Sequence, residues 1–230
     1  MTEIEAIIAL VTKAGGRKSL YHFTRAGNLP AISQFDALWS SSRIMQDSTG
    51  ERRLAAAEVH VDGYSLTVNS HLRIPESMMD AGVTLEQFRA CLDQHVFLWP
   101  TIRDCRKMLD TYTRREPDAA FAVLEFDAKA LLTSCSEAVK LSKYDSGSSP
   151  RFPNNCGYRK SPAMFLPLAE FGRVGSSTVP AKAAEIKEVL VEDQLRHMSR
   201  FLRAVYAANA SDVPAAWQGI VKSLAAFGES

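Results

Sequence analysis

Near the start of the chain, residues 20–32 read Leu-Tyr-His-Phe-Thr-Arg-Ala-Gly-Asn-Leu-Pro-Ala-Ile, and few arrangements accommodate that order. Aromatic and apolar residues alternating with polar ones predict a strand, whose pleat sends Tyr21 and Phe23 to one face and His22 and Thr24 to the other. One face is apolar and the other can hydrogen-bond. Arg25 to Asn28 supply a turn, and Leu29-Pro30-Ala31-Ile32 reads as the first turn of a helix, with Asn28 as its N-cap and proline tolerated early. A polar strand face is thereby delivered beside free backbone N–H groups, which favour an anion.

The rest of the chain continues to mix strands and helices. Ile4, Ile7, Ile8 and Val11 recur at helical spacing and predict an amphipathic helix over residues 3–13 that stops at Gly15-Gly16. Residues 37–42 form a candidate second strand, and residues 57–74 alternate well enough for strand pieces. Thr84 caps a helix that ends at Asp93, with Glu86 and Gln87 in its first turn. His95 to Pro100 is a strand ended by proline, and the helix after it, over residues 101–113, carries Ile102, Cys105, Met108, Leu109 and Tyr112 on one stripe. Residues 121–126 are the clearest strand, and residues 185–192 read as a largely buried one. Residues 142–160 are dense in Gly, Ser, Pro and Asn, and a loop of that length inside a compact domain is usually functional or disordered. Its aromatic and basic residues favour function. Beyond Asp193, Leu195, Met198, Leu202, Val205 and Tyr206, then Trp217, Ile220, Val221, Leu224 and Phe227, predict two amphipathic helices broken at residues 209–211. The expected organisation is one domain over residues 1–193 with a C-terminal helical hairpin, 194–230, packed on it.

Composition narrows the class. Of 230 residues, 46% are apolar and 23% charged, proportions of a globular protein able to bury a sizeable core. A net charge of +1 gives no global drive toward nucleic acid and leaves that task to a local patch. Glu3 and Glu5 stand where a secretory signal has bases, and no stretch approaches the ~20 apolar residues that cross a bilayer. The expectation is a cytoplasmic protein with no membrane contact. Cys91, Cys105, Cys135 and Cys156 form no Cys-x-x-Cys pair and the histidines lack ligand spacing, which argues against disulfides and a metal site. Phosphate-loop, dinucleotide-fingerprint, zinc-protease and nucleophile-elbow motifs are missing as well.

Tyr21-His22-Phe23-Thr24, followed by Asn28-Leu29-Pro30-Ala31-Ile32 and a small-residue strand at Leu38 to Ser42, resembles the opening of ADP-ribosyltransferase-like domains of the DarT type. Lys187-Glu188-Val189-Leu190-Val191 resembles the late strand on which those transferases carry a catalytic glutamate ahead of an apolar run. The family's asparagine-proline-rich strand end is not found as such, and His95 to Pro100 matches it only distantly. The resemblance implies an α+β fold with an ADP-ribosyltransferase-like split, mostly antiparallel sheet core and flanking helices. It also implies transfer of ADP-ribose from NAD to a macromolecule, a nucleic-acid base foremost, in a bacterial toxin or phage-defence setting where an antitoxin would be a further partner. Alternatives on the same fold are a protein ADP-ribosyltransferase, an RNA 2′-phosphotransferase needing several bases and no catalytic glutamate, and a non-catalytic nucleic-acid-binding module.

Breaking the nicotinamide–ribose bond of NAD builds positive charge on the sugar, as in glycoside hydrolysis, and a carboxylate beside the ribose stabilises it. The resemblance gives that role to Glu188, with Glu185 as alternative should the local match slide. It gives His22 the adenosine ribose, with Thr24 on the same strand face. Aromatic faces stack nicotinamide or adenine, and Tyr21, Phe97 and Trp99 lie on the strands where the resemblance puts the pocket. An arginine pairs with pyrophosphate through two donors, and Arg43 or, alternatively, Arg25 is the candidate. In the 142–160 loop, Arg151, Tyr158 and Arg159 are candidates for gripping single-stranded DNA or RNA by stacking and charge.

Overall fold

A computed structural model describes residues 2–147 and 156–228. In chain order the elements are α1 (Glu3–Val11), β1 (Ser19–Arg25), α2 (Leu29–Phe35), β2 (Ala37–Trp39), α3 (Ser41–Ile44), β3 (Ala57–Val61), β4 (Tyr64–Val68), α4 (Leu85–Asp93), β5 (His95–Leu98), α5 (Ile102–Arg115), β6 (Phe121–Asp127), α6 (Ala128–Ser134), β7 (Val139–Ser142), β8 (Phe165–Pro167), β9 (Glu188–Glu192), β10 (Gln194–Arg196), β11 (Leu202–Ala207) and β12 (Val221–Ser223). The class is α+β. One four-stranded sheet runs β1-β6-β11-β12 and another β5-β9-β7-β8, while β3 pairs with β4 and β2 with β10. Every pairing is antiparallel except β11 with β12. The two larger sheets meet at one point, where Tyr21 and Trp99 exchange both backbone hydrogen bonds at 2.9 and 2.8 Å.

Local chemistry fixes the helices. Thr2 with Glu5 and Thr84 with Gln87 form reciprocal capping boxes on α1 and α4, and the Thr101 hydroxyl accepts from the Asp104 N–H at the start of α5. The α5 stripe is buried as its spacing demands, with Cys105, Met108, Leu109 and Tyr112 packed on Phe23, Trp99 and Phe121. Asp62 and Gly63, both at positive φ, turn β3 into β4, the Asp-Gly hairpin signal between alternating runs. No helix among the described residues is long and apolar enough to cross a membrane.

Two expectations are corrected. The C-terminal residues are not a helical hairpin: β10 pairs with β2, and β11 lies inside the first sheet between β6 and β12. Ala204, Val205, Tyr206 and Ala207 are all buried, as expected of an interior strand covered on both faces, and such a run mimics helical spacing. Asp193 and His197, at φ 61° and 51°, further break any helix there. Nor is Asn28 a side-chain cap. A short 3₁₀ turn leads into α2, and the Asn28 amide bonds the N–H and C=O of Thr67 at 2.7 and 3.0 Å, tying β4 to the first strand-to-helix turn.

Candidate active site

Beyond the Tyr21–Trp99 seam, β1 and β5 part, and a side chain takes over where backbone pairing stops. His22 Nδ1 lies 2.8 Å from the carbonyl oxygen of Phe97. A carbonyl can only accept, so Nδ1 carries the proton and Nε2 is the ring's acceptor. Burial holds this imidazole below its ordinary pKa, which keeps it neutral at pH 7. The gap between the strands is a cavity of about 240 Å³ whose lining includes His22, Thr24, Arg53, Asp93, Phe97 and Glu188.

Glu188 opens β9, an interior strand of the second sheet, opposite Ser142. It is 1% exposed. The Ser146 N–H donates to its Oε2 at 3.0 Å. Burial, followed by the neighbouring Asp145, pushes the carboxyl well above its usual range, while the Ser146 hydrogen bonds and Lys160 oppose the rise. Glu188 also borders a second cleft of about 750 Å³, on which Lys107, Lys143, Tyr144, Tyr158 and Lys187 stand. One acid therefore faces two hollows.

A second carboxylate on the first cavity was not singled out in the sequence. Asp93, at the end of α4, accepts from Arg53 Nη2 at 2.7 Å, Ser41 Oγ at 3.0 Å, the Gly50 N–H at 3.0 Å and His71 Nε2 at 3.0 Å. His71 Nδ1 accepts the Arg53 N–H at 3.0 Å, which settles the tautomer as Nε2–H. These donors outweigh burial and hold Asp93 far below the usual carboxylate range. Arg53 Nε also donates to the Asn69 carbonyl, so the guanidinium is fixed on the cavity wall. No local pattern betrays this cluster, because its members come from four separate stretches and meet only in three dimensions.

The other sequence candidates divide. His22, Thr24, Phe97, Trp99 and Glu188 line the one cavity. Tyr21 does not: its ring meets Phe227 edge-on at 5.5 Å instead. Arg43 is half-exposed, pairs with Asp193 at 2.9 Å and is not among the residues that line the cavity, although Ser41 and Ile44 of the same short helix are. Arg25 bonds Glu116 and Asn69. Glu185 caps its own 3₁₀ turn, accepting from the N–H groups of Ala181 and Lys182, and pairs with Lys143 at 3.5 Å. Tyr158 stacks on Tyr144 with centroids 3.6 Å apart beside the second cleft, Arg159 is exposed, and Arg151 lies outside the described residues. Among the described residues no cluster of three or more His, Cys, Asp or Glu side chains could hold a metal ion.

Residues 18–202 match a family described as being of unknown function, DUF7002. The chain belongs to that family. The matched stretch contains both His22 and Glu188, so the DUF7002 match encompasses both of these cavity residues. No curated protein matches the chain. Among solved structures, this DUF7002 protein is similar to Thermus sp. 2.9 DarT in complex with ADP-ribosylated ssDNA, at 12% identity and a TM-score of 0.38, over 83% of this chain and 81% of that one. Likeness of that degree leaves the functional reading to the cavity's side chains.

Proposed function

We propose that this DUF7002 chain is an NAD-consuming ADP-ribosyltransferase, and one observation carries the reading: His22 and Glu188, from opposite ends of the sequence, line the same cavity. Neutral His22 offers Nε2 to a ribose hydroxyl, with the Thr24 hydroxyl nearby on the same strand. Phe97 and Trp99 supply apolar walls for a flat ring. Arg53, in place of Arg43, is the arginine on the wall and suits the pyrophosphate. The cavity is smaller than the ~300–1,000 Å³ of pockets that enclose a whole small ligand, so an extended dinucleotide would project from its mouth.

In the transfer, the bond from ribose C1′ to the nicotinamide nitrogen breaks and its electron pair leaves with neutral nicotinamide. The ionised form of Glu188 stabilises the sugar cation, a new bond forms from C1′ to an acceptor nitrogen or oxygen, and the acceptor's proton passes to the Glu188 carboxylate, whose raised pKa favours taking it up. The second cleft, on the far side of Glu188, is where the acceptor would enter. Its stacked tyrosines and lysines suit a nucleic-acid base, the acceptor expected in a toxin or phage-defence protein. The 2′-phosphotransferase reading calls for several bases, and among the described residues Arg53 is the one arginine or lysine lining the first cavity. Incubation with NAD and, in parallel, single-stranded DNA, RNA or cell lysate tests the proposal. The expected result is an acceptor that gains the mass of one ADP-ribose with wild type and not with Glu188→Gln; nucleic-acid binding with no such gain establishes the binding-module alternative instead.

A further inference from the structure

We infer that Lys160 is a positioning residue for Glu188, acting through the peptide unit that joins Asp145 to Ser146. That unit presents one end to each of them. Lys160 Nζ donates to the Asp145 carbonyl oxygen at 3.3 Å, and the Ser146 N–H donates to Glu188 Oε2 at 3.0 Å. A positive charge against the carbonyl polarises the amide and strengthens its N–H as a donor, and successive bonds of this kind reinforce one another in a low-dielectric interior. Lys160 Nζ also donates to the Ser146 carbonyl, so the same ammonium fixes the peptides on both sides of residue 146.

The lysine is itself firmly placed. It is fully buried, where lysine is almost never found without a partner. Its N–H donates to the Met78 carbonyl at 2.6 Å and its carbonyl accepts from the Asp80 N–H at 2.9 Å, which anchors its main chain independently of Glu188. The Phe88 ring lies 6.0 Å from Nζ. Among the described residues, the titratable groups that act on the pair include Asp145 and the Cys156 thiol. Burial pulls the lysine down and pushes Glu188 up, so each partner's charged form leans on the other. Loss of the ammonium would raise the Glu188 carboxyl further and leave less of the carboxylate that holds a developing cation.

This inference takes Glu188 to be the acid of the transfer proposed above, but its test needs no NAD. Glutamate side-chain carboxyls of the full chain are titrated by carbon-13 NMR, with Glu188 assigned as the signal missing from Glu188→Gln. In Lys160→Met the Glu188 midpoint rises by at least about one pH unit, a tenfold change in proton affinity. An unchanged midpoint in folded Lys160→Met overturns the inference. If that variant does not fold, the coupling is read from its other end, because linkage is reciprocal. In Glu188→Gln the nitrogen-15 midpoint of the Lys160 ammonium falls, and an unchanged midpoint overturns the inference equally. A shifted midpoint in a protein that never consumes NAD keeps the role of Lys160 and removes the transferase reading. Where transfer is observed, Lys160→Met lowers kcat at neutral pH and leaves KM for NAD unchanged.

Discussion

Asp93 and Glu188 are each 1% exposed and line one cavity, yet their surroundings act on them in opposite directions. Burial penalises the charge on both. Asp93 receives donors from Ser41, Gly50, Arg53 and His71, and its pKa falls below the usual range. Glu188 receives Ser146, has Asp145 as a neighbouring acid, and its pKa rises. A carboxylate saturated by the protein holds the cavity together, joining the loop around residue 50 to the end of α4. The Glu188 carboxyl, with Ser146 against it and Asp145 close by, is held in its protonated form more readily than an ordinary glutamate. The number of donors, more than the depth of burial, sets the direction in which each acid's pKa moves.

Substitutions can break this contrast. Asp93→Ala leaves the Arg53 guanidinium buried beside no carboxylate, and loss of one partner of a buried pair costs about 3–5 kcal/mol, measurable by urea denaturation. Glu188→Gln keeps the shape and removes the charge: transfer falls by about 10²-fold or more, with the urea midpoint little changed. A large loss of stability there, with activity intact, would reverse the two roles. His22→Ala removes the Nε2 acceptor proposed for the ribose and should raise KM for NAD about tenfold, equivalent to ~1.4 kcal/mol.

The pH dependence sharpens the comparison, since the two signs oppose. Asp93, with a folded pKa below its unfolded one, contributes stability that is present above about pH 4 and is lost as pH falls. Glu188, with a folded pKa above its unfolded one, contributes stability that is full below about pH 4 and is lost as pH rises toward its folded value. Denaturation midpoints between acid and mildly alkaline pH should therefore flatten at the acid end in Asp93→Asn and at the upper end in Glu188→Gln. The smallest effect belongs to Arg43→Ala: an exposed pair with Asp193 is worth about 0–1 kcal/mol, and NAD kinetics stay as in wild type.

What could be read from the sequence followed from local periodicity. The β1 alternation, the Thr84 cap and the α5 stripe are short-range patterns, and each is present where its residues predict it. The polar strand face brought His22 into view, whereas Glu188 was singled out by the resemblance of Lys187-Glu188-Val189-Leu190-Val191 to the late strand of DarT-type domains and not by periodicity. The C-terminal strands were misread because β11 is apolar on both faces, so its spacing carries no period of its own. Arg53, His71 and Asp93 give no local signal because their meaning lies in partners about 20 to 50 residues away. Asp93 ends a helix in a position like many others until Gly50 and Arg53 reach it. Lys160 reads as one base in a polar loop until its ammonium is seen against residues 145 and 146.

The most direct measurement is release of nicotinamide from NAD by purified protein, followed by mass spectrometry with nucleic-acid acceptors present, for wild type beside Glu188→Gln and Arg43→Ala. Wild type and Arg43→Ala should release nicotinamide at the same rate, while Glu188→Gln releases none above background. Equal release by Glu188→Gln, or no release by wild type with any acceptor, contradicts the assignment of this cavity to ADP-ribose transfer.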